Sequence, residues 1–490
     1  MKLKKLAALM MTGAMAVSML AGCSGNSAKP EDTGKQTTAA GQADAATQAP
    51  AGEDTQAPAA DAQGDGEQIV LRYAAWDLGT EEENNIFRRM IAEYEKRNPN
   101  IKIEIATDID TQDWVGSLTT AAAGGNLPDV AMISELPLSV ANDWALDVTP
   151  YIQNDADWAN IPAVLSESGK YGSGTYGVPS GMNISGLYIN LDLFEAKNQQ
   201  PLSYGYSFED FDNALKNMSA PSEGIIAIKA PDMSDWYAAV KDPSYGWYTY
   251  ADGQVKLNDP LYIEGIKYSK SIYENAYCFT GLSDEQKANF GVDNDWDAFN
   301  AGKIAMTIDP TSNATGYAKL AFKTKFVGLP DGKAIIIPDY YFISKTSQHP
   351  QEAYDFAKFM SFGKDGIMAK LDAIEADATL SWGSLPLNND KDIIDRFFAN
   401  YPVEGVQEVY ENLEGNGIVE AFKFTPGYVN ARWNASTGIK AGENDNATIG
   451  QVIEACIKGE LNIDDYAEQL NTLANASIKE VADVIAATVQ

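Results

Sequence analysis

The residues best suited to chemistry in this chain are acids and aromatics set at the ends of short apolar runs. Ile69-Val70-Leu71-Arg72-Tyr73-Ala74-Ala75 reads as a strand and runs into Trp76-Asp77. Val130-Ala131-Met132-Ile133 runs into Ser134-Glu135, and Ile225-Ile226-Ala227-Ile228 leads through Lys229 to Asp232, with Trp236 and Tyr237 just beyond. Ile304 to Ile308 ends at Asp309-Pro310. In open α/β sheets, ligands bind outside the carboxyl ends of the strands. An indole or phenol face packs on the C–H face of a pyranose ring while its N–H or O–H still forms hydrogen bonds. Carboxylates and amides supply the few polar groups that orient a bound solute. The chemistry implied is non-covalent capture of a polar solute in an aromatic-lined cleft. Taken singly, each acid reads equally as a solvated side chain and each aromatic as core.

Support for covalent chemistry is thinner. The single histidine, His349, sits at the entry to a helix, and any Ser-His-Asp or Cys-His site would have to use it. A histidine-rich zinc site is excluded on the same count. No phosphate-binding Gly-x-x-x-x-Gly-Lys-Ser/Thr loop or dinucleotide fingerprint is present, so no cofactor or metal is expected. A glycosidase needs only two carboxylates, and the 69 acids leave that alternative open. Against 36 Lys and Arg they give a net charge of −33, which argues against nucleic acid and anionic surfaces as partners. Of the three cysteines, Cys278 and Cys456 lie in apolar surroundings and read by default as buried free thiols, with a disulfide between them as the alternative.

The elements that must position these residues follow from periodicity. Ile86, Phe87, Met90, Ile91 and Tyr94 share one helical face, with Thr80 and Glu83 at capping-box spacing before them and Pro99 after. Ile101, Ile103 and Ile105 alternate with charges as a strand. A helix carrying Trp114, Val115 and Leu118 runs into Gly124-Gly125, and the strand from Val130 follows. This is β-α-β-α-β, the opening of an α/β sheet. Further along, Ser207 with Asp210 marks a helix start, and His349-Pro350 another. Gly302 reads as a left-handed helix stop.

The first 67 residues differ from the rest. Lys2, Lys4 and Lys5 precede an apolar run from Leu6 to Leu20 that is short for a membrane span, an export signal over residues 1–22. Leu20-Ala21-Gly22-Cys23 resembles the bacterial lipobox, in which Cys23 becomes the acylated N-terminus. Each acyl methylene buried in the bilayer contributes about 0.8 kcal/mol. Residues 23–67 are Ala, Gly, Asp, Thr, Gln and Pro, a composition that cannot bury a core and is expected to form a disordered tether reaching about 35–40 Å.

Several ordered segments carry a resemblance to a family. They include the strand ending in Trp76, Asn98-Pro99-Asn100-Ile101, Gly124 to Val130, Asp147 to Ile152, and Tyr176 to Pro179 with Leu187 to Asn190. Asp297-Ala298-Phe299-Asn300-Ala301-Gly302-Lys303-Ile304-Ala305-Met306 is the most specific, and Ile335 to Tyr341, Leu380 to Pro386 and Phe424 to Trp433 complete the set. Together they resemble the extracellular solute-binding proteins that serve ABC importers, in the branch containing maltose-binding protein, from residue 68 to the end. The resemblance implies a two-lobed α/β fold, each lobe an open sheet, with three crossings between lobes. It places lobe one at 68–179 with 338–382 and lobe two at 180–337 with 383–490. It implies no enzyme. It implies instead a lipid-anchored monomer on the extracellular face of the membrane, closing its lobes on a sugar or oligosaccharide and docking on permease subunits. It adds Asn183, Tyr340 and Trp382 at the crossings to the candidate ligand residues, and Trp433, which falls where maltose-binding protein stacks a tryptophan on sugar. Thr311-Ser312-Asn313 departs from relatives that carry a sugar-stacking tryptophan there, which counts against a long maltodextrin. A secreted carbohydrate-active enzyme and a surface adhesin or sensor on the same fold are the alternatives.

Overall fold

A computed structural model of the chain describes residues 68–489. The expected export signal, Cys23 and the expected tether lie outside the described residues.

The strands, in chain order, are β1 (Ile69–Ala74), β2 (Ile101–Ile105), β3 (Val130–Ile133), β4 (Lys170–Tyr171), β5 (Gly174–Thr175), β6 (Val178–Asn190) and β7 (Ile226–Ile228). They continue with β8 (Ile304–Pro310), β9 (Thr324–Phe326), β10 (Ala334–Ile343), β11 (Gly417–Val419), β12 (Ser436–Ala441) and β13 (Asn444–Thr448). Nine of them form one mixed sheet in the order β2-β1-β3-β10-β6-β8-β7, with β11 alongside β10 and β9 alongside β6. The opening β-α-β-α-β is present, with β1 parallel to both β2 and β3. Two long strands hold the two halves together. β10 pairs antiparallel with β3 at Tyr340–Ile343 and with β6 from Ile335 to Tyr341; β6 goes on to pair with β8 over Ser185–Ile189. The two lobes therefore share one hydrogen-bonded sheet through their crossing strands.

Local sequence explains most element boundaries. The first long helix spans Ile86–Arg97 and buries Ile86, Met90, Ile91 and Tyr94. Its cap is not Thr80: Asn85 accepts from the amides of Phe87 and Arg88, and Thr80–Glu83 forms a separate turn. Both residue types cap helices, and the one nearer the apolar stripe wins. Ser207 and Asp210 form the expected reciprocal capping box on the helix Phe208–Met218. Pro350 occupies the first turn of the helix Pro350–Met360, and Gly302 (φ +72°) follows the helix Asp295–Asn300.

Three large apolar clusters result, beside a small one of Ile367, Leu371 and Ile393 against which Trp382 packs. One packs β1–β3 and the outer part of β10 against the helices Ile86–Arg97 and Pro350–Met360. A second packs the helices Phe208–Met218 and Ser234–Lys241 on β7, β8 and the inner part of β6. In β10, Ile336 joins the first cluster and Ile335 the second, as strand alternation requires. The third joins Tyr248–Ile266 to the C-terminal helices. The last helix, Ala467–Thr488, starts in this third cluster and packs against the helix Leu136–Ala141 that follows β3, so it spans both halves of the molecule. Cys278 and Cys456 are buried free thiols.

Candidate functional site

Three chain segments lie side by side where the halves meet. Pro338 on β10 faces Met182 on β6, and the third crossing joins them there. The Leu385 amide donates to the Met182 carbonyl at 2.8 Å, while Ser384 Oγ accepts from the Met182 amide at 2.8 Å and donates to its carbonyl at 2.9 Å. The β6–β10 register shifts between Asp339 and Tyr340, which leaves Ser180 in the irregular step. Strand ends approach this floor from both halves. Trp76-Asp77 follows β1, Glu135 follows β3, Lys229–Asp235 follow β7, Asp309 closes β8, and Glu420 follows β11, which runs parallel to β10.

Carboxylates accumulate at this meeting point. Asp77 Oδ1 is inaccessible to solvent and has no hydrogen-bond partner, and the same holds for Glu420 Oε2, Ser180 Oγ, Thr425 Oγ1 and Arg432 Nε. Burial pushes the Asp77 carboxyl up to about 7; Lys370 opposes this and Asp339 adds to it. Burial likewise raises Glu135 to about 7 against the pull of Lys423. Glu420 rises to about 8, through burial first, with Lys423 and Arg432 opposing and Asp339 and Asp235 reinforcing. The cations have other primary partners. Lys423 Nζ donates to Asp339 Oδ1 at 2.9 Å; burial disfavours its charge, but Asp339, Glu420 and Glu135 outweigh burial and hold the ammonium above its ordinary value. Arg432, 3 % exposed, pairs with Asp235. Lys370 Nζ donates to the Met360 carbonyl at 3.0 Å, and burial lowers it to about 8.

The residues chosen from sequence separate into two sets. Asp77 and Glu135 belong to the carboxylate cluster. Trp76 is half-buried, edge-on to Trp114 at 5.3 Å. Trp382 sits close by, its ring 4.4 Å from Lys370 Nζ, the lysine that faces Asp77. Asp232 and Trp236 line a small cavity of about 170 Å³ with Ser185, Lys229, Asp235 and Trp247. Asp232 is exposed and accepts from Ser234, at the start of the helix Ser234–Lys241. Asn183 sits on the crossing floor and accepts from Thr311 Oγ1 at 2.9 Å.

The others are held by the protein itself. Tyr237 points into the core of its own half and donates to Glu264 at 2.6 Å. Tyr340 is fully buried, with its hydroxyl bonded to Ser168. Asp309 accepts from Lys229 at 2.8 Å on each oxygen, from Tyr317 at 2.7 Å and from Thr307. Trp433 is 46 % exposed in the π-helical turn Asn430–Asn434 and packs over Gly450, where an added Cβ would lie 2.5 Å from its ring.

Sequence reasoning did not single out Asp235, Asp339, Glu420, Lys423 or Arg432. Asp339 lies inside a stretch read as a crossing, and strand alternation past Ile337 was the available signal for it. Glu420 follows a three-residue strand that exists only through its pairing with β10, so nothing local marks it.

A mixed sheet threaded by two long strands, with strand ends converging from both sides on the crossings, is the architecture of two-lobed solute-binding proteins. The chain belongs to the bacterial extracellular solute-binding protein family, whose model matches residues 79–362. Among curated proteins, none matches in sequence. Solved structures share the fold at low identity. The sugar-binding protein MalE of Xanthomonas citri is 15 % identical, with 84 % of this chain and 98 % of that one covered at a TM-score of 0.64. The cyclic alpha-maltosyl-1,6-maltose binding protein of Arthrobacter globiformis is 16 % identical, covering 85 % and 100 %, also at 0.64. The ABC substrate-binding protein Lmo0181 of Listeria monocytogenes, solved with cycloalternan, is 18 % identical over 86 % and 99 % at 0.61.

Proposed function

We propose that this chain is the capture subunit of an ABC importer for a carbohydrate, held at the outer face of the membrane by acyl chains on Cys23, and that it traps its ligand where the strand ends converge. The observation that carries this reading is the set of buried polar atoms without partners at the crossings, contributed by β1, β6, β11 and the C-terminal segment. Buried groups of this kind are costly unless something satisfies them, and a polyhydroxylated solute does so. The sugar-binding neighbours support the ligand class. The lobes are assigned as 68–179 with 338–382 and 180–337 with 383–490, the last helix reaching back across the boundary. Closure is a hinge motion about the three crossings, biased by ligand contacts with both lobes.

A thermal-shift screen of the purified chain against mono- and oligosaccharides is expected to give a stabilising hit, and scattering is expected to show a more compact body at saturation. A library without a hit would remove the carbohydrate reading. Cys23→Ala is expected to release the protein from membranes with ligand binding intact. Raised carboxyls such as Glu420 are also what a glycosidase acid requires; appearance of a new reducing end during incubation would replace capture with hydrolysis.

A further inference from the structure

The charges at the crossings do not balance. Five carboxylates, Asp77, Glu135, Asp235, Asp339 and Glu420, are distributed about three cations, Lys370, Lys423 and Arg432. Lys423 is committed to Asp339 and Arg432 to Asp235. Lys370 spends a hydrogen bond on Met360 and makes no close ion pair with Asp77. Asp77 Oδ1 and Glu420 Oε2 are left buried without any donor, one after β1 and the other after β11. Hydroxyl groups without partners, Ser180 Oγ and Thr425 Oγ1, lie on the same floor and on the Glu420–Thr425 segment. Among the described residues no three His, Cys, Asp or Glu side chains converge as a metal site would require. The aromatic side is correspondingly thin, since Tyr237 and Tyr340 are spent on the protein's own packing.

We infer that the solute captured here is an amino sugar with a free, protonated amine, its ammonium received by one of the unpartnered carboxyl oxygens, Asp77 Oδ1 or Glu420 Oε2, and its hydroxyls by the other unpartnered groups of the crossings, Ser180 Oγ and Thr425 Oγ1 among them. This rests on the reading of the crossings as a carbohydrate site. A neutral sugar can exchange hydroxyl hydrogen bonds with these acids and leaves their protons in place, whereas an ammonium supplies three donors and the opposite charge together and so favours the ionised carboxylate. Proton linkage separates the cases. Asp77 faces Lys370, Asp339, Tyr73 and Tyr341; Glu420 faces Lys423, Asp339, Asp235 and Arg432; Glu135 faces Lys423. With Asp77 at about 7 and Glu420 at about 8, both carry protons part of the time near neutrality, and an incoming ammonium must displace the proton it meets.

The test is calorimetric titration of the full chain with D-glucosamine and its β-1,4-linked dimer, each beside its N-acetylated counterpart and the parent neutral sugar, in two buffers of different ionisation enthalpy. Amines are expected to bind about 10- to 100-fold tighter than their acetylated or neutral counterparts. Binding is expected to release protons near neutral pH and to weaken as pH falls toward 5.5. Glu420→Gln or Asp77→Asn, whichever removes the receiving carboxyl, should shrink the preference; the wild-type proton release stands as evidence even where a variant misfolds. Equal binding of amine and neutral sugars without proton release would overturn the inference and leave carbohydrate capture intact. Failure of every sugar to bind would overturn both.

Discussion

Two aspartates end two strands of the same sheet and differ in almost everything else. Asp309 closes β8 and is saturated: Lys229 grips both oxygens, and Tyr317 and Thr307 add donors. The Lys229 ammonium also lies 4.5 Å from the centre of the Trp296 ring, so the whole unit is an internal brace for its half of the molecule. Asp77, three residues past β1, has an oxygen with no donor at all. Position at a strand end is the same in both cases. The difference is whether the protein has already used the hydrogen-bonding capacity, and only unused capacity is available to a ligand.

The largest expected effect breaks the saturated member. Asp309→Ala leaves a buried lysine, tyrosine and threonine without their acceptor, and removing one side of a buried ion pair costs about 3–5 kcal/mol. Urea unfolding should show the loss, with affinity retained in the folded fraction. Loss of affinity without loss of stability would move Asp309 into the ligand site. The converse substitution, Asp77→Asn, removes an unsatisfied charge. Its stability should change by less than about 1 kcal/mol, while ligand affinity falls by about 1.5–3 kcal/mol, the value of a hydrogen bond to a charged group. A stability loss as large as that of Asp309→Ala would make the two sites equivalent and erase the contrast.

The contrast also marks what was legible in the sequence. The first three strands, their helices and the strand-end acids follow from apolar periodicity alone. Saturation does not, because the donors to Asp309 come from residues up to 80 positions away. Trp236 and Tyr237 were expected at a mouth of the cleft, just past a strand. The chain instead turns into the helix Ser234–Lys241, which buries both: Trp236 joins the second apolar cluster and keeps only an edge on a small cavity, and Tyr237 bonds to Glu264. Glu420 and Lys423 stay hidden since β11 is three residues long and no local pattern announces it. The lobe-spanning role of the last helix was equally hidden, as its amphipathic stripe does not say which partner it meets.

A third test uses acidity. Asp77, Glu135 and Glu420 titrate near 7, 7 and 8 in the folded chain, above their ordinary values of 3.8, 4.5 and 4.5. A carboxyl whose folded value is raised favours the folded state fully below its unfolded value, and that contribution is lost as pH rises through the folded value. The ligand-free protein should therefore melt several degrees higher at about pH 5.5 than at about pH 8. Lys370, lowered from 10.5 to about 8, changes stability mainly above this window. Glu420→Gln, which removes the most strongly raised of these carboxyls, should flatten the slope. A melting temperature that is flat or rises toward pH 8 would mean these acids are better solvated than their burial implies.

The smallest effect concerns the tryptophan that was expected to stack on ligand. Trp433 keeps 46 % of its surface exposed, and its buried edge rests on Gly450, with the Arg432 guanidinium 4.7 Å from its ring centre. Emptying a fully buried Trp costs about 3–5 kcal/mol; a half-exposed one with a glycine beneath it should cost about 1–2 kcal/mol by the same reckoning. Its ring contact with Arg432, which pairs with Asp235, and its half-exposed face put Trp433 beside the Asp235 end of the carboxylate cluster. Trp433→Ala should then weaken ligand binding by about 1 kcal/mol, the value of an aromatic contact at a wet rim. Trp433→Phe should restore most of that. Calorimetry on both variants decides the matter. A loss above about 3 kcal/mol would make Trp433 a central anchor of the kind that dominates binding sites. It would also show that the ligand extends from Asp77 across to the C-terminal segment, and the neutral face of the sugar would then matter as much as its charge.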